Sequence, residues 1–118
     1  MSLLDFKKAL GTTDEIELRV VSRTSSRETS RPVWFVQEDD TLYLLPVKGS
    51  DSAWFKNVLK TPTIRIAANG QAIAAVARPI TDSRRVHEVV EKFRSKYGSD
   101  QVKKYYSKFD VAVEVPLS

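Results

Sequence analysis

The chain has 118 residues, 42% of them apolar and 29% charged, with a net charge of +4 and a pI near 9.4. That length suits one domain over 1–118, no apolar run approaches the roughly 20 residues that cross a bilayer, and the N-terminus lacks the features of a signal peptide. The absence of cysteine excludes disulfides, thiol catalysis and thiolate metal sites, and is compatible with a cytoplasmic location. The positive charge admits an anionic partner, whether nucleic acid, a membrane surface or a phosphorylated cofactor, and equally serves solubility.

Leu3, Phe6 and Leu10 share one helical face, and Ser2 with Asp5 resembles a capping box, which predicts a short helix over 3–10. From Glu15 the period drops to two. Ile16, Leu18 and Val20 alternate with Glu17 and Arg19, the pattern of a strand buried on one face. Residues 22–31, SRTSSRETSR, hold no large apolar side chain and predict a loop. Pro32 then opens a second strand, PVWFVQ, since proline is tolerated at a strand's first position. EDD turns into a third strand, TLYLLPV. A helix over 51–60 follows, capped by Ser50 or Asp51, with Trp54, Phe55, Val58 and Leu59 as its apolar face and Pro62 just past its end.

In TIRIAANGQAIAAVARPI, Asn69-Gly70 predicts a two-residue hairpin, because both central residues need positive φ. The alanines at 67, 68, 72, 74, 75 and 77 weaken strand propensity and imply that side chains there stay small, beside a crowded barrel axis or a ligand. Asp82 caps a helix to about Tyr97 that buries Val86, Val89, Val90 and Phe93 and ends at Gly98. A shorter helix over 100–107 carries Val102, Tyr105 and Tyr106. DVAVEVP closes the chain as a strand with Val111, Val113 and Val115 on one face. The order α-β-β-β-α-β-β-α-α-β gives six antiparallel strands, which escape exposed edges best by closing. The expected fold is a β-barrel with peripheral helices (α+β), a six-stranded antiparallel split barrel.

The single histidine, His87, falls beside the valine stripe of its helix and reads as a boundary or surface residue. With no cysteine there is no nucleophile–histidine dyad and no zinc set, and Glu38, Asp39 and Asp40 belong to a turn. No catalytic side chain and no metal ligand are assigned, so demanding chemistry would fall to a cofactor. Arg23, Arg27 and Arg31 stand among six hydroxyls, the donors that a phosphate requires, although a solvated loop has the same composition. Lys48 is a candidate phosphate contact, Gly49 permits close backbone approach, and the next helix aims its N-terminal N–H groups at the same corner. Trp54 and Phe55 are core residues, one of them edging a pocket.

The strand order resembles the FMN-binding split barrel, the fold of pyridoxamine-phosphate oxidase. The spacing is most similar to its deazaflavin-dependent nitroreductase-like branch, with a G-R-x-S-G loop, a strand-opening proline, then K-G, W, N and P. The matching residues are SRTSS at 22–26, Pro32-Val33-Trp34, Lys48-Gly49, Trp54, Asn57 and Pro62. KGSDSAWFK, KYG at 96–98 and VAVEVP resemble, more closely still, a small bacterial split-barrel family of unknown function. The resemblance implies a homodimer holding a flat cofactor, FMN or a deazaflavin (F420), between two chains. It implies that Arg23, Ser25 and Lys48 lie along the phosphate end and that Gly49, Trp54 and Asn57 shape the neighbouring wall. If the protein is such a reductase, Arg31 joins Arg23 and Lys48 in neutralising the phosphate. Both loop glycines are serine here, Ser22 and Ser26, a residue that adopts positive φ reluctantly.

The leading functional expectation is a flavin- or deazaflavin-binding oxidoreductase that passes hydride to a small quinone or nitroaromatic acceptor. The alternative is a non-enzymatic split-barrel domain binding another flat or anionic ligand, such as haem, against which the placement of His87 counts. Nucleic-acid binding ranks third, because the basic loop has no aromatic to stack a base. No membrane partner is expected.

Overall fold

The computed structural model describes residues 3–117, so the expected Ser2 cap lies outside the described residues. Helix α1 (Leu3–Leu10) is followed by β1 (Glu15–Val21), β2 (Glu28–Glu38) and β3 (Thr41–Leu44). A 3-10 turn (Gly49–Asp51) leads into α2 (Ala53–Lys60), then β4 (Thr63–Ala68), β5 (Gln71–Val76) and β6 (Arg78–Ile80). Helices α3 (Ser83–Tyr97) and α4 (Ser99–Tyr105) precede the closing strand β7 (Ala112–Pro116). One sheet runs β5-β4-β1-β2-β3-β7-β6, antiparallel throughout, and it curls until β5 meets β7. This is the expected split barrel with seven strands instead of six. The extra strand is β6, three residues long and too short to show a period; Ala77, whose N–H donates to Pro62 O, separates it from β5.

Strand β2 makes the split. Glu28–Trp34 pair with β1, whereas Phe35–Glu38 pair with β3. The expected loop over 22–31 is therefore shorter than its composition indicated, because Glu28–Arg31 are strand. Their side chains are exposed, so backbone pairing and not an apolar pattern fixes them. Pro32 sits inside the strand opposite Glu17, not at its start. Ser22 N–H donates to Arg27 O, and antiparallel alternation from that pair places Pro32 at a non-hydrogen-bonded site. Its missing N–H thus faces the open edge that β3 does not reach, where proline is tolerated.

The barrel interior takes one face of every strand but β6: Leu18, Phe35, Leu42, Ile66 and Val113 are buried there with Trp54 and Phe55 of α2. A second cluster lies outside, where Val86, Val90 and Phe93 of α3 and Val102 of α4 cover β3 and β7. The Asn69-Gly70 hairpin forms as expected, with φ 47° and 81°. Asp82 caps α3 by accepting from Arg84 N–H at 3.1 Å. In α2 the apolar face differs from expectation, since Leu59 is 56% exposed and Asn57 is buried in its stead. Its N-cap is Ser52, and Ser50 and Asp51 belong to the preceding 3-10 turn. No helix of the described residues is long and apolar enough to cross a membrane.

Candidate functional site

Asn57 explains itself through the arginine loop. Its side-chain oxygen accepts from Arg23 N–H at 3.1 Å and from the Arg23 guanidinium at 2.8 Å, while Lys60 Nζ donates to Arg23 O at 3.1 Å. Helix α2 thus clamps the start of the loop 34 residues upstream. Within the loop, Ser22 Oγ accepts from the N–H groups of Thr24 and Ser25 at 3.3 and 3.4 Å, and Ser25 Oγ accepts from Arg27 N–H at 3.4 Å. Ser26 takes φ 60°, so serine does adopt the left-handed backbone here, held by its N–H to Ser22 O at 3.0 Å. The two serines therefore form a turn that satisfies its own donors.

The Lys48-Gly49 corner is closed by a carboxylate of the chain itself. Gly49 has φ 54°, and a Cβ there would run into the Asp110 carboxylate and press on Lys108. Asp110 accepts from Ser50 N–H at 2.9 Å and from the Ser50 hydroxyl. The Ser50 hydroxyl holds the Asp110 carboxyl below the usual carboxylate range, with Lys108 acting in the same direction. Lys108 also pairs with Asp51 at 3.2 Å. The close approach that Gly49 permits is thus made by Asp110. Lys48 N–H donates to Ser52 Oγ at 3.0 Å, and the exposed Lys48 side chain has no ion-pair partner among the described residues.

Two clefts flank β2, and both include Arg31 and Pro32. The larger, about 490 Å³, lies over the outer sheet face, with Glu15, Glu17, Arg19 and Ser30 on its walls and Ala67 and Ala72 in its floor. Ala68, which also borders this cleft, and Ala77 are buried in the barrel core. The smaller cleft, about 280 Å³, is aromatic: Trp34, Trp54, Tyr105 and Tyr106 meet Leu45 and Val47 there. The Arg31 side chain is exposed and makes no hydrogen bond or ion pair among the described residues. Of the seven expected site residues, Arg31 and Trp54 line this cleft. Arg23, Asn57 and Ser25 build the clamped loop, and Lys48 and Gly49 belong to the Asp110 corner.

Trp34, Tyr105 and Tyr106 are not among the expected site residues, and Trp34 is the central one of the three. Val33 and Phe35 point into the barrel, so Trp34 faces outward, and a large ring on an outer strand face needs a cover. Tyr97 supplies one side, stacked at 4.2 Å with 10° between the planes, and Tyr105 the other, at 4.5 Å and 19°. The Tyr97 hydroxyl accepts from Phe35 N–H at 3.1 Å and lies 2.9 and 2.6 Å from the carbonyls of Phe35 and Asp14. It pins the point where β2 changes partners. Burial pushes the Tyr97 phenol up to about 12 and that of Tyr106 higher still. Burial lowers Lys96, which caps Phe35 O at 2.8 Å. His87 is 71% exposed on α3.

A family profile described as "Uncharacterized protein conserved in bacteria (DUF2255)" matches residues 7–113. The chain belongs to that family. No curated protein matches this DUF2255 member. Solved structures do resemble it. An F420-H2 dependent reductase aligns with TM-score 0.67 and 16% identity, over 86% of this chain and 93% of the other. A candidate pyridoxamine 5'-phosphate oxidase from Listeria innocua gives TM-score 0.71 and 14% identity, over 98% and 94%. HutZ, a heme storage protein from Vibrio cholerae, gives 0.72 and 16%, over 98% and 90%. At such identities the likeness concerns the fold, and the DUF2255 chain has the pyridoxamine-phosphate-oxidase-like split barrel.

Proposed function

We propose that this protein, as a homodimer, binds FMN or a deazaflavin such as F420 and serves hydride transfer to a small oxidised acceptor of the quinone or nitroaromatic kind. The observation that carries the reading is the cleft lined by Trp34, Trp54, Tyr105 and Tyr106 together with Arg31, whose side chain has no partner among the described residues. A flat ring with an anionic tail suits that set, since aromatic faces offer stacking and a guanidinium offers a planar fork to phosphate or carboxylate. In this reading Arg31 and Lys48 face the anionic end, and Trp54 walls the ring. Arg23, Ser25 and Asn57 hold the loop beside them, and Gly49 lets Asp110 close the corner behind. A ring bound there would supply the hydride chemistry; the chain's residues bind, orient and shield it.

Dimerisation fits the same place. The edge of β2 over 28–33 is unpaired, and a second copy covering it would also close the open side of the cleft, which at about 280 Å³ is slightly smaller than the ~300–1,000 Å³ common for ligand sites.

Titration of the purified protein with FMN and with oxidised and reduced F420, followed by cofactor fluorescence, tests the reading. One of them is expected to bind, and R31A to weaken FMN about tenfold while hardly changing riboflavin, which lacks the phosphate. No binding of either cofactor at high-micromolar concentration would overturn it. A second reading, binding without catalysis, is favoured by one observation: the cleft is lined by no carboxylate, histidine or lysine among the described residues. A non-flavin ligand released by denaturing freshly purified protein, identified by mass spectrometry, would support that reading instead.

A further inference from the structure

We infer that the outer face of Trp34 is the platform on which a planar heteroaromatic ring stacks, and that Tyr105 occupies this platform as a displaceable placeholder. The inference rests on the proposed binding of a flat ring in this cleft. Trp34 carries one ring on each face, and the two are held differently. Tyr97, at 4.2 Å, is fixed by its hydroxyl to both backbone groups of Phe35 and to Asp14 O. Tyr105, at 4.5 Å, is 43% exposed, and its hydroxyl has no hydrogen bond among the described residues.

Tyr105 is also the last residue of α4, a helix of seven residues. Its neighbour Tyr106 is buried, with its N–H bonded to Val102 O at 3.0 Å, and Ser107 N–H reaches Val47 O at 2.8 Å. The backbone just after Tyr105 is therefore anchored, while its side chain is held by ring contacts alone, with Trp34 at 4.5 Å and with Tyr106 at 5.2 Å. Rotation of an exposed side chain is fast, on the order of picoseconds to nanoseconds, so the cover imposes no slow opening step. Turning Tyr105 outward uncovers the Trp34 face and widens a cleft that is now slightly small for a ligand.

The arrangement sets a threshold for what binds. An incoming ring must stack on Trp34 better than a phenol does, which favours extended, fused, electron-poor heteroaromatics over single rings. An aromatic pair contributes enough that removing the competitor tightens binding roughly two- to tenfold.

The test compares wild type, Y105A and Y105F for affinity toward FMN and F420 by fluorescence titration. Y105A is expected to bind the recognised cofactor two- to tenfold more tightly, and Y105F, which keeps the ring, to match wild type. Equal or weaker binding by Y105A, in a protein whose wild type binds, would overturn the placeholder and leave the proposed function standing. Binding by Y105A alone supports the placeholder. Failure of all three proteins to bind either cofactor would overturn both. Circular dichroism of each variant confirms the fold, which a change at a surface side chain leaves intact.

Discussion

The turn before α2 and the aromatic cleft beside it are both attractive to an anion by residue type, yet they differ in what is left unsatisfied. At the turn, the donors of Ser50 meet Asp110, Lys108 bridges two carboxylates, and Ser52 takes Lys48 N–H, so that the exposed Lys48 ammonium alone lacks an ion-pair partner among the described residues. In the cleft, the Arg31 guanidinium and the Tyr105 hydroxyl have no partner among the described residues. A lysine, a glycine and a helix start look like a phosphate site in sequence, but a carboxylate from the far end of the chain already fills it. Spare capacity, rather than composition, separates a binding surface from a structural joint.

The largest test of that contrast is G49A. A left-handed residue with a Cβ costs about 1–2 kcal/mol, and displacing Asp110 loses a charged hydrogen bond as well, so about 2–4 kcal/mol of stability should go in urea denaturation. In the double variant G49A/D110A the clash is gone, and the loss should be smaller than the sum of the two single losses. Additive losses would mean that the two residues do not share the joint.

Next in size is N57A, which strips the buried acceptor from Arg23. About 2 kcal/mol should be lost, and amide hydrogen exchange over 22–27 should accelerate. An unchanged exchange rate there would break the clamp assignment.

Y97F should cost about 1 kcal/mol at neutral pH, because Phe35 N–H loses its acceptor. Its pH dependence is sharper. Burial raises the Tyr97 phenol to about 12, above the ~10 of an unfolded chain. The folded state therefore holds this proton more tightly, the contribution is complete below pH ~10, and it is lost as pH rises toward ~12. The stability difference between wild type and Y97F should shrink across that interval. A constant difference would show that the phenol stays unperturbed.

The smallest effect belongs to K48A. Its side chain is exposed and unpaired, so less than about 0.5 kcal/mol should change. A larger loss would place Lys48 in the joint with Asp110, whereas weaker FMN binding at unchanged stability would place it with the cleft.

Local patterns are legible in the residues themselves. The alternation of Ile16, Leu18 and Val20, the Asn69-Gly70 hairpin and the valine stripe of α3 depend on neighbours within a few residues. Arg31 and Trp54 come together only through the fold, on the walls of one cleft. Less legible are elements whose cause lies in pairing. Glu28–Arg31 form strand because β1 extends alongside them, though no apolar side chain marks them. Leu59 reaches solvent and Asn57 the interior because the Arg23 loop, not the helical period, decides which face of α2 is covered.

By itself, then, the sequence determined six of the seven strands and the four helices, and through their order the split barrel, because periodicity and turn chemistry act over short stretches of chain. Only the tertiary structure decided that Asp110 closes the Gly49 corner from 60 residues away, and that Trp34 lies between Tyr97 and Tyr105. Those contacts depend on how the sheet curls and where α3 and α4 return to it. No local pattern encodes a carboxylate or a ring arriving from the other end of the chain.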